Sequence, residues 1–300
     1  MSKQFTINGS FSLSGKGLHT GLNIEAKFLP AAENTGIVFK RIDLEGAPEL
    51  PALATYVSAT ERGTVLKKDN ASVSTIEHIM SAFMAHGIDN CIIEINAPEV
   101  PILDGSAKFV VEALNKVGKK ELNAERIFFE VKEEMTFTNG TSTIKLLPAD
   151  EFCAEVTIDF NSPVLKKQSA SICDYTNYDN EIASARTFVF VREILLLLQH
   201  NLIKGGDLDN AIVIYDQPLT KEAITDICNK LNVPVIEVED LGYLNHRPLE
   251  WENEPARHKL LDLIGDLSLI GLPIKGKIVA EKPGHGYNTF VAQEILKLIK

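Results

Sequence analysis

The alternation of apolar and polar side chains predicts strands at the start of the chain. Residues 5–14 (FTINGSFSLS) and 22–28 (LNIEAKF) alternate with the period of a strand that buries one face. The glycine-rich segment between them, GKGLHTG, is typical of a tight turn. Shorter apolar runs predict further strands at residues 91–95, 127–131, 142–147, 153–160, 211–215, 233–238 and 276–280.

Apolar residues at helical spacing predict helices over five segments, at residues 74–86, 106–117, 221–231, 256–269 and 287–299. Residues 188–198 are mostly apolar and predict a strand that leads into a helix. Gly87 and Gly118 follow the first two helices, in the position where glycine commonly ends a helix. Ser74 and Glu77 have the spacing of a capping box at the start of the first helix.

The two halves of the chain share an order of elements. In each half a helix is followed by a short strand, a Gly/Pro loop and a second helix. This order predicts an α+β fold of two similar domains, each a small β-sheet layered with helices. The charged segment 119–126 is the predicted linker, and the predicted domains are residues 1–122 and 123–300. If the helical layers face each other, the helices that carry His78 and His258 meet at the interface.

Composition and charge narrow the class of protein. A length of 300 residues suits two domains, and 30 Lys and Arg against 41 Asp and Glu give a net charge of −11. That sign disfavours a sequence-independent nucleic-acid binder. The apolar run 194–198 is far shorter than the roughly 20 residues of a membrane span, which predicts no membrane insertion.

The cysteines and the N-terminus predict a cellular compartment. The four cysteines have spacings that fit neither a zinc ribbon nor a disulfide framework: Cys91, Cys153, Cys173 and Cys228. The first residues, MSKQFTINGSFSLSG, contain no apolar signal core. We therefore expect a soluble, cytoplasmic protein with free thiols.

His258 and Asp262 form the strongest local signal for chemistry. They are four residues apart in a predicted helix and lie on one helical face, which Asp266 continues one turn later. An imidazole nitrogen and a carboxylate oxygen at this spacing can bind one metal ion. The same spacing is also common in surface His–Asp pairs, so the spacing by itself leaves both interpretations open.

Three further segments carry candidate residues with an alternative structural explanation. Glu77 and His78 can supply a base and a metal ligand above a helix start, or a capping box and a buried histidine. His285 lies between two glycines, which suits a general acid or an ordinary loop. Thr187 and Phe188 can serve an oxyanion and a sugar or acyl chain, or simply begin a strand.

Two histidines and one aspartate would leave an open position on a zinc ion, the arrangement of catalytic sites. Zinc lowers the pKa of a bound water toward ~7, a carboxylate can take its remaining proton, and an imidazolium can supply another. These groups are the ones that metal-assisted amide hydrolysis needs.

Seven segments in order resemble one family over nearly the whole chain: GKGLHTG, VSTIEHIMSAF, NAPEVPILDGSA, ARTF, LIKGGDLDNAIV, ARHKLLDLIGDL and PGHGYN. The family is that of the bacterial zinc-dependent UDP-3-O-acyl-N-acetylglucosamine deacetylases of lipid A biosynthesis. The resemblance implies two α+β domains with the active site between their helical layers.

The resemblance also implies a role for each matching residue. His78, His258 and Asp262 would bind Zn²⁺, Glu77 would be the general base, and His285 the general acid.

The remaining implied roles concern positioning and substrate. Asp266 would hold the general acid, Thr187 would support the oxyanion, and Phe188 would line the sugar site. Lys259 would meet the diphosphate or sugar of the UDP-linked, acylated glucosamine substrate, and Lys282 would meet its diphosphate.

Two segments of the second half bear on substrate binding. The resemblance implies a β-α-β insert at about residues 188–215 that forms an apolar tunnel for the acyl chain. Residues 217–244 look like an addition relative to the common form, which we interpret as a surface elaboration. Some members are fused to a 3-hydroxyacyl carrier-protein dehydratase, and we expect this chain to resemble the fused type.

The leading hypothesis is therefore a zinc-dependent deacetylase that releases acetate from the 2-acetamido group of UDP-3-O-(3-hydroxyacyl)-N-acetylglucosamine. One alternative is a zinc amidohydrolase that acts on another acylated amide. The other is a zinc- or sugar-nucleotide-binding protein without turnover.

Overall fold

The first half of the chain forms short strands and two helices. The structure is a computed structural model and describes residues 2–231, 233–235, 237–238 and 240–299. The elements of this half are β1 (Lys3–Ile7), β2 (Phe11–Lys16), β3 (Asn23–Pro30), β4 (Ile37–Arg41), β5 (Glu49–Pro51), β6 (Val57–Ala59), β7 (Val65–Lys68), β8 (Ala71–Val73), α1 (Glu77–His86), β9 (Cys91–Ile95), α2 (Lys108–Val117) and β10 (Lys119–Glu125).

A five-stranded sheet supports the helices of this half. Its order is β2-β3-β9-β4-β5, with β4 and β9 parallel and the other pairs antiparallel. β3 buries Ile24, Ala26 and Phe28 and exposes the residues between them, as its alternating sequence predicts. Phe28 meets Phe83 of α1 edge-to-face at 5.9 Å between ring centroids, so the apolar face of the sheet packs against α1.

The second half has a larger sheet and five helices among the described residues. Its elements are β11 (Phe129–Glu130), β12 (Met135–Asn139), β13 (Ser142–Leu147), β14 (Phe152–Ile158), β15 (Gln168–Cys173), α3 (Tyr178–Glu181), β16 (Phe188–Phe190), α4 (Val191–Gln199), β17 (Ile212–Tyr215), α5 (Lys221–Leu231), β18 (Gly242–Tyr243), α6 (Glu254–Leu267), β19 (Ile274–Glu281) and α7 (His285–Ile299). The main sheet has the order β12-β13-β19-β14-β15, and β11 also pairs with β19. α6 packs on β14 and β15.

The helices α1 and α6 pack directly against each other. At their contact a Cβ added to Gly265 would collide with the backbone carbonyl of Glu77, so the two helices approach more closely than larger residues allow. The α+β fold class with small sheets and helical layers is therefore confirmed. The domain boundary at residues 122 and 123 stays a prediction.

A separate three-stranded sheet also lies in the second half. β16, α4 and β17 form a β-α-β unit with parallel strands, and β18 pairs with β17 on the other side. Together with α5, this unit surrounds an apolar cluster that is separate from the main core, here called the second apolar cluster. Its buried members are Leu18, Ile102, Val191, Ile194, Leu197, Ile203, Val213, Tyr215 and Ile227.

Several local predictions were wrong in detail. The predicted linker is the strand β10, which pairs antiparallel with β1 across the sequence. The predicted strand 5–14 is two strands, β1 and β2. Of the predicted strand 233–238 the structure describes residues 233–235 and 237–238, and none of these lies in a strand.

The capping box was also wrong. Helix α1 begins at Glu77, and the N-cap residue Ile76 makes no side-chain capping hydrogen bond. The Ser74 hydroxyl donates instead to the backbone carbonyl of Pro98 at 3.2 Å. The side chain of Glu77 is therefore free of a capping role.

Two cysteines differ from the expected free thiols. Cys153 of β14 and Cys173 of β15 are directly opposite each other in the sheet and form a disulfide. Cys91 and Cys228 are free and buried. The pairing depends on strand register, which the spacing of cysteines along the sequence does not show. Within the described residues, no helix combines the length and apolar character needed to cross a membrane.

Candidate active site

A cluster of two histidines and one aspartate lies where α1 meets α6. His78, His258 and Asp262 each offer a ligand atom, and these atoms all lie within 4.8 Å of one another. Asp262 Oδ1 is 3.4 Å from His258 Nε2 and 3.8 Å from His78 Nε2. All three side chains are buried. The fold thus joins the i,i+4 pair of α6 to a histidine that is 180 residues away in sequence.

The cluster fits a divalent metal ion. Asp262 Oδ1 is buried and has no hydrogen-bond partner among the described residues, and a buried carboxylate oxygen needs a donor or a cation. Ligand atoms about 2.1 Å from a tetrahedral ion lie about 3.4 Å apart, close to the separation of the His258 and Asp262 atoms. Two nitrogens and one oxygen are ligands that zinc accepts.

The two imidazoles are prepared to act as ligands. Burial is the main cause that lowers the pKa of His78 to about 3, and the charge of the neighbouring His258 contributes to that shift. Burial also lowers the pKa of His258, although the charge of Asp262 opposes the shift. His258 Nδ1 lies 3.0 Å from the carbonyl of Ala185; donation to this oxygen leaves Nε2 with its lone pair toward the cluster.

Glu77 lies beside the cluster with a carboxylate suited to proton transfer. Its Oε2 accepts a hydrogen bond from the backbone N–H of Thr64 at 3.0 Å. Burial raises the pKa of Glu77 to about 7; the charge of His285 opposes this shift, whereas Asp262 and Asp266 add to it. A carboxylate with a pKa near neutrality can accept and release a proton at physiological pH.

His285 lies close to the same groups and is held by a carboxylate. Its Nδ1 donates to Asp266 Oδ2 at 3.0 Å, and its Nε2 is 3.8 Å from Asp262 Oδ2. Burial by itself lowers the pKa of His285, but the charges of Asp266 and Asp262 and the hydrogen bond outweigh it and raise the pKa to about 9. The imidazolium form at neutral pH is the form that a general acid needs.

Asp266 is supported by two residues that the sequence analysis did not single out. Thr64 Oγ1 donates to its Oδ1 at 2.5 Å, and Asn288 Nδ2 donates to its Oδ2 at 2.9 Å. Asn288 lies within the PGHGYN segment, so a signal for it was present. Thr64 carried no local signal, because its partners are distant in sequence.

The ARTF segment brings Thr187 and Phe188 to the edge of the cluster. Two hydrogen bonds fix the backbone of Thr187. Its N–H donates to the carbonyl of Gly105, and its carbonyl accepts from the N–H of Ile212. The ring of Phe188 meets that of His258 edge-to-face at 6.4 Å. The ring contact places Phe188 beside the cluster, and Thr187 precedes it directly in the chain.

A buried ion pair anchors this segment, and sequence reasoning missed it. The guanidinium of Arg186 donates through Nε to Glu254 Oε1 at 2.8 Å and through Nη2 to Oε2 at 3.0 Å. Both side chains are buried, and Glu254 lies in the first turn of α6. The pair therefore links the ARTF segment to the helix that carries His258 and Asp262.

The two predicted lysines have different surroundings. Lys259 Nζ donates to Asp262 Oδ2 at 2.7 Å and lies 5.4 Å from the centroid of the Phe188 ring, so it belongs to the cluster. Lys282 instead pairs with Asp159 at 3.0 Å on a largely exposed surface. The structure thus brings Lys259 to the site and shows Lys282 engaged with another partner.

An apolar cavity of about 350 Å³ adjoins the site. Thr187, Phe188 and His19 line it, together with side chains of the second apolar cluster. His19 lies in the GKGLHTG segment, and Glu99 accepts hydrogen bonds from the backbone N–H groups of His19 and Thr20 at 2.8 and 2.9 Å. A cavity of this size and lining suits an apolar group of a ligand.

Comparison with known proteins gives consistent matches. The family model described as UDP-3-O-acyl N-acetylglycosamine deacetylase (LpxC) matches residues 4–229 and 228–297. The chain is 49% identical to a bifunctional enzyme LpxC/FabZ of Bacteroides thetaiotaomicron and 51% identical to one of Porphyromonas gingivalis, in each case over 100% of this chain. It spans about two thirds of the length of these two relatives, 66% and 65%.

A third relative is of similar length to this chain. A UDP-3-O-acyl-N-acetylglucosamine deacetylase of Saccharophagus degradans is 39% identical over 100% of this chain and 91% of the relative. The extent of these matches shows that the chain belongs to the LpxC family of UDP-3-O-acyl N-acetylglycosamine deacetylases.

Proposed function

We propose that this chain hydrolyses the N-acetyl group of UDP-3-O-(3-hydroxyacyl)-N-acetylglucosamine and releases acetate, as a step of lipid A biosynthesis in the cytoplasm. The observation that carries the proposal is the buried His78, His258 and Asp262 cluster with Glu77 and His285 beside it. The name of the S. degradans relative, a UDP-3-O-acyl-N-acetylglucosamine deacetylase, supports this substrate. The two bifunctional LpxC/FabZ relatives support a link to a second, FabZ-type activity.

His78, His258 and Asp262 would hold Zn²⁺. When bound, zinc supplies Lewis-acid activation of a water molecule and of the amide carbonyl. The unpartnered Oδ1 of Asp262 and the neutral imidazoles support this ligand set. Lys259 remains hydrogen-bonded to the other oxygen of Asp262, which orients the carboxylate.

The proton transfers are assigned to two residues of this chain. Glu77 takes the proton of the attacking water, since its pKa of about 7 lies close to the working pH. His285 gives its Nε2 proton to the leaving amine nitrogen, while Asp266 accepts from Nδ1 and fixes the ring. The Thr187 hydroxyl donates to the developing oxyanion.

The substrate would lie across this cluster. Phe188 would contact the sugar, and the apolar cavity beside it would receive the 3-O-acyl chain. Lys259 would meet the diphosphate or the sugar. Lys282 would meet the diphosphate after release from Asp159.

Metal analysis and a deacetylation assay on UDP-3-O-acyl-N-acetylglucosamine test the proposal together. We expect stoichiometric zinc and acetate release, and His258→Ala should lose both. Glu77→Ala and His285→Ala should lose roughly 10²–10⁴ in rate, the usual scale of general acid–base catalysis. His200→Ala is a matched control, because His200 lies exposed after α4.

Near-native rates for both Glu77→Ala and His285→Ala would overturn the mechanism. Hydrolysis of a simple acylated amide without activity on the UDP-sugar would favour the alternative amidohydrolase. Zinc binding without acetate release would favour a binding protein.

A further inference from the structure

The helix α5 lies in the segment 217–244, which sequence analysis interpreted as a surface elaboration. One face of α5 is charged and exposed, and the other buries Ile224, Ile227 and Cys228. This spacing is that of an amphipathic helix with a buried apolar stripe. The apolar stripe therefore faces other apolar groups of the protein, and the identity of these groups indicates the function of the segment.

The apolar stripe of α5 faces a cavity. Ile224, Ile227, Cys228 and Leu231 all line the apolar cavity of about 350 Å³ beside the active site. Ile227 belongs to the second apolar cluster, which is separate from the main core of the protein. Protein interiors are normally packed without voids of this size, so an apolar wall around a cavity indicates a place for a ligand.

The cavity runs from the candidate active site to α5. Thr187 and Phe188 line it, and Phe188 contacts the ring of His258. Ile194 and Leu197 of α4 form a further part of its wall. An apolar chain attached to a sugar at the cluster would therefore extend toward α5.

Ion pairs hold the wall in place at two points. Arg192 of α4 pairs with the buried carboxylate of Asp216, the residue directly before the segment 217–244. Arg62 Nη2 of the first half lies 2.6 Å from Glu193 Oε2 of α4. These contacts fix α4 and the start of the segment relative to the rest of the cavity.

We propose that α5 is a specificity-determining wall of the acyl site, and that Ile227 on its buried face limits the length of acyl chain that the enzyme accepts. The inference rests on the proposed function for the identity of the substrate. It assigns to the segment 217–244 a direct role in substrate selection.

The test compares two bulky substitutions on opposite faces of one helix. Ile227→Trp places a larger side chain at the α5 end of the cavity, whereas Thr225→Trp places the same side chain on the exposed face of α5. Each variant is assayed on UDP-N-acetylglucosamine carrying a 3-O-acetyl or a 3-O-(3-hydroxytetradecanoyl) group. Thermal unfolding and circular dichroism establish that both variants are folded.

We expect Ile227→Trp to lower kcat/KM for the long-chain substrate by at least about tenfold, the scale on which an apolar pocket rejects a misfitting group. The short-chain substrate and the Thr225→Trp variant should stay close to wild type. Equal effects on both substrates, or equal effects of both variants, would overturn the inference.

A binding measurement separates this inference from the proposed function. Titration calorimetry with tetradecanoic acid should show weaker binding to Ile227→Trp than to Thr225→Trp, with or without turnover. If binding of the fatty acid is weakened only by Ile227→Trp, but the wild-type protein releases no acetate, the role of α5 is supported and the proposed function is contradicted. Binding that is equal in the two variants would contradict the α5 wall, whatever the activity.

Discussion

Asp266 shows at the scale of a single residue how one carboxylate can set the protonation of another group. Its two oxygens accept from His285, Asn288 and Thr64, and it is fully buried. Its negative charge and hydrogen bond keep the pKa of His285 near 9 despite burial. The protonated imidazole therefore depends on a residue that need not touch the substrate.

Asp266→Asn removes this charge and keeps the shape. Because Asp266 raises the pKa of His285, its loss lowers that pKa, and protonated His285 is lost at a lower pH than in the wild type. The alkaline limb of the kcat/KM profile should move to lower pH. A pH–rate series on the zinc-loaded enzyme measures this shift.

Asp69→Asn provides the control for that series, because Asp69 is an exposed carboxylate in the turn between β7 and β8, outside the cluster. An alkaline limb that stays in place in Asp266→Asn would show that Asp266 does not set the protonation of His285. A shift of similar size in both variants would point to net charge rather than to the contact with His285.

At the scale of elements, the contact of α1 with α6 depends on Gly265. Glycine inside a helix normally costs about 1 kcal/mol relative to alanine, so Gly→Ala in an open helix is expected to stabilise. Here the added methyl group would meet the backbone of Glu77. This tertiary contact therefore makes Gly265→Ala destabilising, whereas helix propensity by itself would make it stabilising.

We expect Gly265→Ala to lower the free energy of unfolding by about 1–3 kcal/mol, the usual cost of overpacking. It should also weaken metal binding, since α1 carries His78 and α6 carries the other two proposed ligands. Urea unfolding measures the first effect. Gly284→Ala is the control, because a Cβ there meets open space; a stabilised Gly265→Ala would contradict the close approach.

At the scale of the whole molecule, the proposed metal ligands come from both halves of the chain. His78 comes from the first half of the chain, whereas His258 and Asp262 come from the second. An ion bound to the folded cluster stabilises the arrangement that brings these halves together. Binding at a concentration of 100 times Kd adds about 2.7 kcal/mol to the folded state.

Zinc should therefore raise the Tm of the wild-type protein, and a chelator should lower it. The shift should be absent in His258→Ala and retained in His200→Ala, where the histidine is exposed and outside the cluster. Differential scanning calorimetry measures both. A Tm that responds to zinc equally in the two variants would place the stabilising ion elsewhere.

Local signals explain the predictions that were accurate. Residues 221–231 were predicted as a helix and form α5, because the apolar spacing that defines an amphipathic helix lies within one short segment. Gly87 ends α1 in the left-handed conformation that glycine favours. His258 and Asp262 lie on one face of α6, since the period of the helix fixes residues four apart.

Contacts between distant segments decided the rest. The hydrogen bond from Thr64 gives the Glu77 carboxylate a place beside the metal cluster rather than at a helix cap. Strand pairing made the charged segment after Gly118 into β10 and joined Cys153 to Cys173.

The sequence by itself determined the α+β class and the helical faces, because these depend on residue type and local period. It left the metal-binding and the structural interpretations of His258 and Asp262 both open. Only the tertiary structure decided that His78 meets His258, that Arg186 anchors the ARTF segment, and that α5 closes a cavity rather than decorating a surface. These facts depend on which distant surfaces bury each other, and the free energy of that burial is not encoded in any one segment.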